Sequence, residues 1–107
     1  MTGPLSGVTI LDLTSVISGP LATSILGDQG ARVIKVESPN GDSMRMAGAI
    51  KGGVSSLFSA INRNKESIAL DLRKPEAIEI VNKIAARADI CIQNYRPGVV
   101  EKLGIGY

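Results

Sequence analysis

The chain of 107 residues contains no histidine, and that absence removes several chemistries at once. A Ser-His-Asp triad, a Cys-His dyad and most zinc sites need an imidazole, so none is expected here, and no metal is expected as a cofactor. Cysteine is nearly as scarce. Cys91 stands alone, which excludes an internal disulfide, and its place between Ile90 and Ile92 predicts a buried core thiol rather than a nucleophile. Aromatic residues make up 3% of the chain, too few for base-stacking platforms. The 12 basic and 10 acidic side chains leave a dispersed net charge of +2, which does not describe a nucleic-acid surface. No apolar run approaches the ~20 residues that cross a bilayer, so no membrane partner is expected. Residues 1–5 hold no basic stretch followed by an apolar one, the mark of a secretory signal, and a cytoplasmic location is the expectation.

What is present is enough for one core, because 44% of the residues are hydrophobic and the length is close to that of a common single domain. Residues 8–13 read as a strand. Gly19 and Pro20 then open a helix that runs to about Gln29 and stops at Gly30, with Pro20 at its first helical position and Leu21, Ala22, Ile25 and Leu26 as its expected buried stripe. Residues 32–37 form a second strand, so residues 8–37 make a βαβ unit. Residues 67–72 are a third strand. Pro75 starts a helix whose apolar positions Ala77, Ile80, Val81, Ile84 and Ala88 recur at helical spacing, with Glu76 and Glu79 early and Lys83 and Arg87 late, each sign matching the helix dipole. Residues 89–93 complete a second unit over 67–94, and residues 98–103 suit a short closing helix. The glycine-rich residues 38–65 between the units, with one short helix expected over 54–61, are long for a connection in a compact domain. This alternation predicts a doubly wound, mostly parallel α/β sheet with helices on both faces.

In such sheets the ligand lies outside the carboxyl ends of the strands. Residues 94–98, Asn-Tyr-Arg-Pro-Gly, are the most suggestive: a donor and acceptor, a ring face and a guanidinium are carried on one strand end and turned by Pro97 and Gly98. Arg73 and Lys74 follow the third strand. Cations at two strand ends point to an anionic, phosphate-bearing ligand. A nicotinamide dinucleotide is disfavoured, although Glu37 stands where a ribose would be met, because Gly19 is the single glycine between Leu13 and Pro20 where a G-x-G-x-x-G turn is required. Asp12 and Asp71 are expected to hold loop amides rather than to act as acids or bases.

Leu11-Asp12-Leu13-Thr14 followed by Gly19-Pro20, and Gly30-Ala31 before residues 33–37, resemble the start of the family III CoA-transferases. That group includes formyl-CoA and carnitine CoA-transferases and the α-methylacyl-CoA racemases. Asn62-Arg63-Asn64-Lys65, Leu70-Asp71-Leu72 with Pro75-Glu76, residues 94–98, and Glu101-Lys102-Leu103-Gly104 continue the likeness in order, over essentially the whole chain.

The resemblance implies that residues 1–107 are the N-terminal, Rossmann-like part of such a domain, incomplete by itself, and that they bind coenzyme A or acyl-CoA as substrate. Ser15, Val16 and Ile17 match the family's first CoA-contacting loop. Leu70 and Arg73 match its contacts after the third strand, Asn94, Tyr95 and Arg96 those after the fourth, and Val99 and Lys102 those beyond. Ser38 departs from the family, some members of which carry Arg there for a CoA phosphate. Lys74 departs as well, where a capping side chain such as Ser is usual.

The family's nucleophile is an Asp that attacks an acyl-CoA thioester and forms a mixed anhydride. It lies beyond the stretch matched here. The resemblance therefore implies a CoA-transferase, acting on an acyl-CoA and a carboxylic acid, of which this chain supplies the CoA-binding portion without the catalytic Asp. Two alternatives stand beside it: a non-catalytic CoA- or nucleotide-binding module or subunit completed by another chain, and a fragment of an α-methylacyl-CoA racemase. Family members are homodimers, and a sheet left with an open edge is expected to self-associate.

Overall fold

The computed structural model describes residues 3–15, 18–39, 50–51 and 54–95. In chain order they form β1 (Thr9–Asp12), α1 (Ser18–Asp28), β2 (Arg32–Glu37), β3 (Ile50–Lys51), β4 (Val54–Ser55), α2 (Ser56–Ile61), β5 (Lys65–Ala69), α3 (Pro75–Arg87) and β6 (Ile90–Ile92). Four strands make a parallel sheet in the order β5-β2-β1-β6, and β3 and β4 pair antiparallel. The α/β prediction holds. The second unit is wider than predicted, because the connection from β5 passes over both β2 and β1, so that β6 pairs with β1 rather than with its predecessor β5. The order of strands therefore reverses at β1.

The period of two along each strand sorts side chains between the two faces. Leu11, Leu13 and Val36 meet Val81 of α3, with Ile68, Leu70, Leu72, Ile84 and Tyr95 packed around them. This is the apolar face. Ile10, Ala31 and Val33 form a smaller cluster with Leu26 of α1 and with Leu5 and Val8. On the α1 side the strands turn polar toward their carboxyl ends, where Asp12 pairs in register with Lys35, and Lys35 with Ser67.

That polar stripe explains why α1 does not bury the predicted apolar face. Its buried residues are Pro20, Thr23, Ser24 and Gly27, spaced as one helical face, while Leu21 and Ile25 stand 40% and 46% exposed. Of the predicted stripe Leu26 is half-buried and Ala22 is exposed. Thr23 Oγ1 donates to Asp12 Oδ2 at 2.7 Å and Ser24 Oγ donates to the Ile61 carbonyl. Hydroxyls satisfy the groups beneath the helix, which leucine could not. The helix also begins earlier than expected, at Ser18.

The third main-sheet strand runs from Lys65 rather than from residue 67, because Val33 pairs with Lys65 and the ladder ends at Glu37 and Ala69. Beyond Ala69 only the Leu70 amide still reaches the Glu37 carbonyl, at 2.8 Å. The helix predicted from Pro75 is present with Ala77 and Val81 buried and Lys74 as an N-cap without a side-chain hydrogen bond. Ile80 of its expected stripe is 39% exposed. Within residues 54–61 a short strand precedes the helix. The closing helix predicted over 98–103 lies outside the described residues. Cys91 corrects its prediction: it is exposed, because among the described strands β6 stands at the end of the sheet, paired with β1. Partial burial, then the charge of Asp12, holds its thiol pKa above the ordinary value.

Candidate functional site

A reversal of strand order opens a crevice at the carboxyl ends of the two strands flanking it, here β1 and β6. Ser15 leaves β1 and Asn94 leaves β6. Asn94 Nδ2 donates to the Ser15 carbonyl at 2.9 Å, and the Ser15 amide donates to Asn94 Oδ1 at 3.2 Å. Two predicted site residues, remote in sequence, thus meet at the crevice, although each occupies polar groups of the other.

Beneath them is a buried ionic network. Asp12 Oδ1 accepts from the Thr14 amide at 2.9 Å and from the Thr14 hydroxyl. Its Oδ2 lies 2.9 Å from Lys65 Nζ, both side chains being almost fully buried. Lys65 Nζ also donates to Asn62 Oδ1 at 2.8 Å and to the Pro20 carbonyl at 3.0 Å. Lys35, equally buried, donates to the Thr14 carbonyl at 2.9 Å. Burial pushes the Asp12 pKa up, but the bonds from Thr14 and Lys65 and the Lys65 charge outweigh it, and the carboxyl titrates below 3.8. The expectation that Asp12 holds a loop amide is met at Thr14. The two buried lysines were missed by sequence reasoning. The signal was there in Lys35, a charge inside an otherwise apolar strand.

A second feature opens at the tips of β2 and β5. A cleft of ≈ 280 Å³ is lined by Glu37, Ser38, Leu70, Arg73 and Tyr95, among others. Arg73 is held by its neighbour: its Nε and Nη2 donate to Asp71 at 3.0 and 3.1 Å, and its amide donates to Asp71 Oδ1 at 3.1 Å. Asp71 thereby meets its prediction too. The Arg73 side chain is 87% exposed, and a guanidinium has five donors, so it can serve an anion while gripping Asp71. These bonds hold the Asp71 carboxyl below its usual range and raise the Arg73 pKa. Glu37 is buried and accepts from the Ser67 hydroxyl. Tyr95 packs into the apolar core, and burial raises its phenol pKa.

The structure thus brings Ser15 to Asn94, and Leu70, Arg73 and Tyr95 into one cleft, with Asn94 and Tyr95 adjacent in the chain. Val16, Ile17, Arg96, Val99 and Lys102 lie outside the described residues. Among the described residues no cluster of three or more His, Cys, Asp or Glu is placed to hold a metal, and no helix is long and apolar enough to cross a membrane.

Comparison with known proteins adds a family context. The family model of CoA-transferase family III matches residues 5–107. Succinyl-CoA:glutarate CoA-transferase of Homo sapiens is 47% identical over 106 residues, which cover 97% of this chain and 24% of the human protein. Acetyl-CoA:oxalate CoA-transferase of Acetobacter aceti is 44% identical, over 98% of this chain and 27% of its own. The crystal structure of a CAIB/BAIF family protein from Brucella suis superposes with a TM-score of 0.92 at 38% identity, covering 100% of this chain and 30% of that one. The chain spans about a quarter of the length of the curated relatives it matches.

Proposed function

The chain belongs to CoA-transferase family III, and we propose that it is the coenzyme A-binding portion of an enzyme that moves CoA between an acyl-CoA thioester and a carboxylic acid. The observation that carries this reading is the coincidence of two independent features. The crevice where strand order reverses is bordered by Ser15 and Asn94, two positions that the family resemblance had assigned to the CoA site. The neighbouring cleft presents Arg73 beside apolar Leu70 and Tyr95, which suits a phosphate next to a flat ring. The names of the relatives favour transfer over racemisation, since both the human and the Acetobacter proteins are CoA-transferases.

On this reading Arg73 meets a phosphate of CoA, with Asp71 holding the guanidinium in one orientation. Leu70 and Tyr95 offer apolar surface to the adenine, and Ser38 offers a hydroxyl where a cation would bind a further phosphate more tightly. The carboxylate nucleophile of the proposed enzyme is not among the residues assigned here, whose proposed role is to bind CoA.

Titration calorimetry with CoA and with NAD tests the proposal. CoA is expected to bind more tightly, and Arg73→Ala to weaken it by about 1.5–3 kcal/mol, the worth of a charge-assisted hydrogen bond. Tighter binding of NAD, or CoA binding indifferent to Arg73, would overturn it. No CoA transfer from an acyl-CoA to an acid is expected from the chain alone, and a rate proportional to protein concentration would displace the nucleophile from its proposed location.

A further inference from the structure

Every polar group of the Thr14 main chain and side chain is committed inside the protein. The amide and hydroxyl go to Asp12, and the carbonyl to Lys35. The next residue is held as completely along its backbone, since the Ser15 amide and carbonyl both bond to Asn94. Gly19 closes the third side, where a Cβ would lie 2.4 Å from Thr14 Cβ. Burying the Lys35 ammonium at 1% residue exposure costs several kcal/mol unless bonds repay it, and one bond it makes there is to the carbonyl of a loop at the ligand end of the sheet. An apolar side chain would fill the same strand position without that cost.

From this geometry we infer that Lys35 and Asn94 are positioning residues, which fix the direction in which the chain leaves β1 toward the crevice, and that neither acts mainly by touching the ligand. Lys35 lies beneath the loop and acts through Thr14. Asn94 presents its amide to Ser15 from the far side of the crevice. A loop fixed in advance loses less conformational entropy when a ligand binds, so the pair acts on affinity without a contact of its own. The inference rests on the CoA-binding reading for its choice of ligand, and on the hydrogen bonds alone for its mechanics.

The test combines amide hydrogen exchange at Ser15 with CoA calorimetry, on the unsubstituted chain, Lys35→Met, Lys35→Arg, Asn94→Ala and the Lys35→Met/Asn94→Ala double variant. Asn94 is exposed, so Asn94→Ala keeps the question open to experiment even if Lys35→Met fails to fold. Lys35→Met and Asn94→Ala are each expected to speed Ser15 exchange and weaken CoA binding by about tenfold, near the net worth of one or two hydrogen bonds, whereas Lys35→Arg should retain most of both. Asn94→Ala should leave the melting temperature in place. The double variant should lose little more than either single one, because a loop already released cannot be released again. Additive losses in affinity would make Asn94 a ligand contact and overturn the inference, as would Ser15 exchange unchanged in both single variants. If the unsubstituted chain binds no CoA, the functional reading fails by itself. The exchange rates then still decide, faster exchange upholding the positioning role and unchanged exchange removing it.

Discussion

Lys65 and Asp12 form a buried ion pair, Nζ to Oδ2 at 2.9 Å, that ties the first residue of β5 to the last residue of β1 across the intervening β2. The ammonium also donates to the Pro20 carbonyl and to Asn62, and these bonds help the pair repay its desolvation. It also anchors the start of α1, through the Pro20 carbonyl, to the strand that precedes it.

Removing one partner should therefore be severe. Lys65→Met leaves the Asp12 carboxylate buried without its cation and is expected to cost about 3–5 kcal/mol. Adding Asp12→Asn should recover part of the loss, because the stranded charge disappears. Urea unfolding of the two variants beside the unsubstituted chain measures both effects.

The same carboxylate gives a pH dependence of defined sign. The folded-state pKa of Asp12 lies below its ordinary value of 3.8, so the folded state binds its proton less readily than the unfolded chain does. Its contribution to stability is complete above that ordinary value and is lost as pH falls through the folded one. Asp28, Glu66 and Asp71 shift in the same direction, through Arg63, Arg32 and Arg73 respectively, but these pairs are exposed and screened. Melting temperatures taken from pH 6 downward should fall steeply near the acid end, and Asp12→Asn should flatten that fall more than Asp28→Asn does.

Gly19 permits the start of α1 to touch the loop after β1. A methyl group there would sit 2.4 Å from Thr14 Cβ and 2.6 Å from its Cγ2, and Thr14 has no room to yield because its polar groups are bonded on all sides. Gly19→Ala is expected to destabilise by about 1–3 kcal/mol, the usual cost of overpacking. The outcome to watch is whether Thr14→Ser, which removes the Cγ2, restores part of that loss in a double variant.

Leu21 and Ile25 lie one turn apart on α1 and face outward, and Ile80 and Ile90 are exposed on α3 and β6. A pair of adjacent exposed apolar side chains such as Leu21 and Ile25 favours association. Light scattering should find a dimer or larger species, and Leu21→Lys with Ile25→Lys should shift it toward monomer. A monodisperse monomer of the unsubstituted chain at high concentration would contradict this.

Local pattern determined a good deal here. The amphipathic spacing of α3, its opening proline and its charge order are properties of thirteen contiguous residues, and β2 is bounded by turn residues on both sides, so both could be read without knowing what they pack against. The alternation of strands and helices likewise announced a parallel sheet, and the strand-end residues were named because such sheets bind ligands at that end.

Tertiary structure decided the rest. The place of β6 beside β1 depends on a crossover that no local signal encodes, and with it came the crevice, the meeting of Ser15 with Asn94 and the exposure of Cys91. The buried face of α1 was misread because hydrophobic spacing assumes an apolar floor. This floor carries Asp12 and Lys35, so small hydroxyl residues face inward and Leu21 and Ile25 face outward. Sequence alone left Lys65 in the connection before the third strand, and it was the β2–β5 register that set it against Val33, on the face that Asp12 shares. A charge is buried only where partners from separate strands converge, and that convergence exists only once the sheet is assembled.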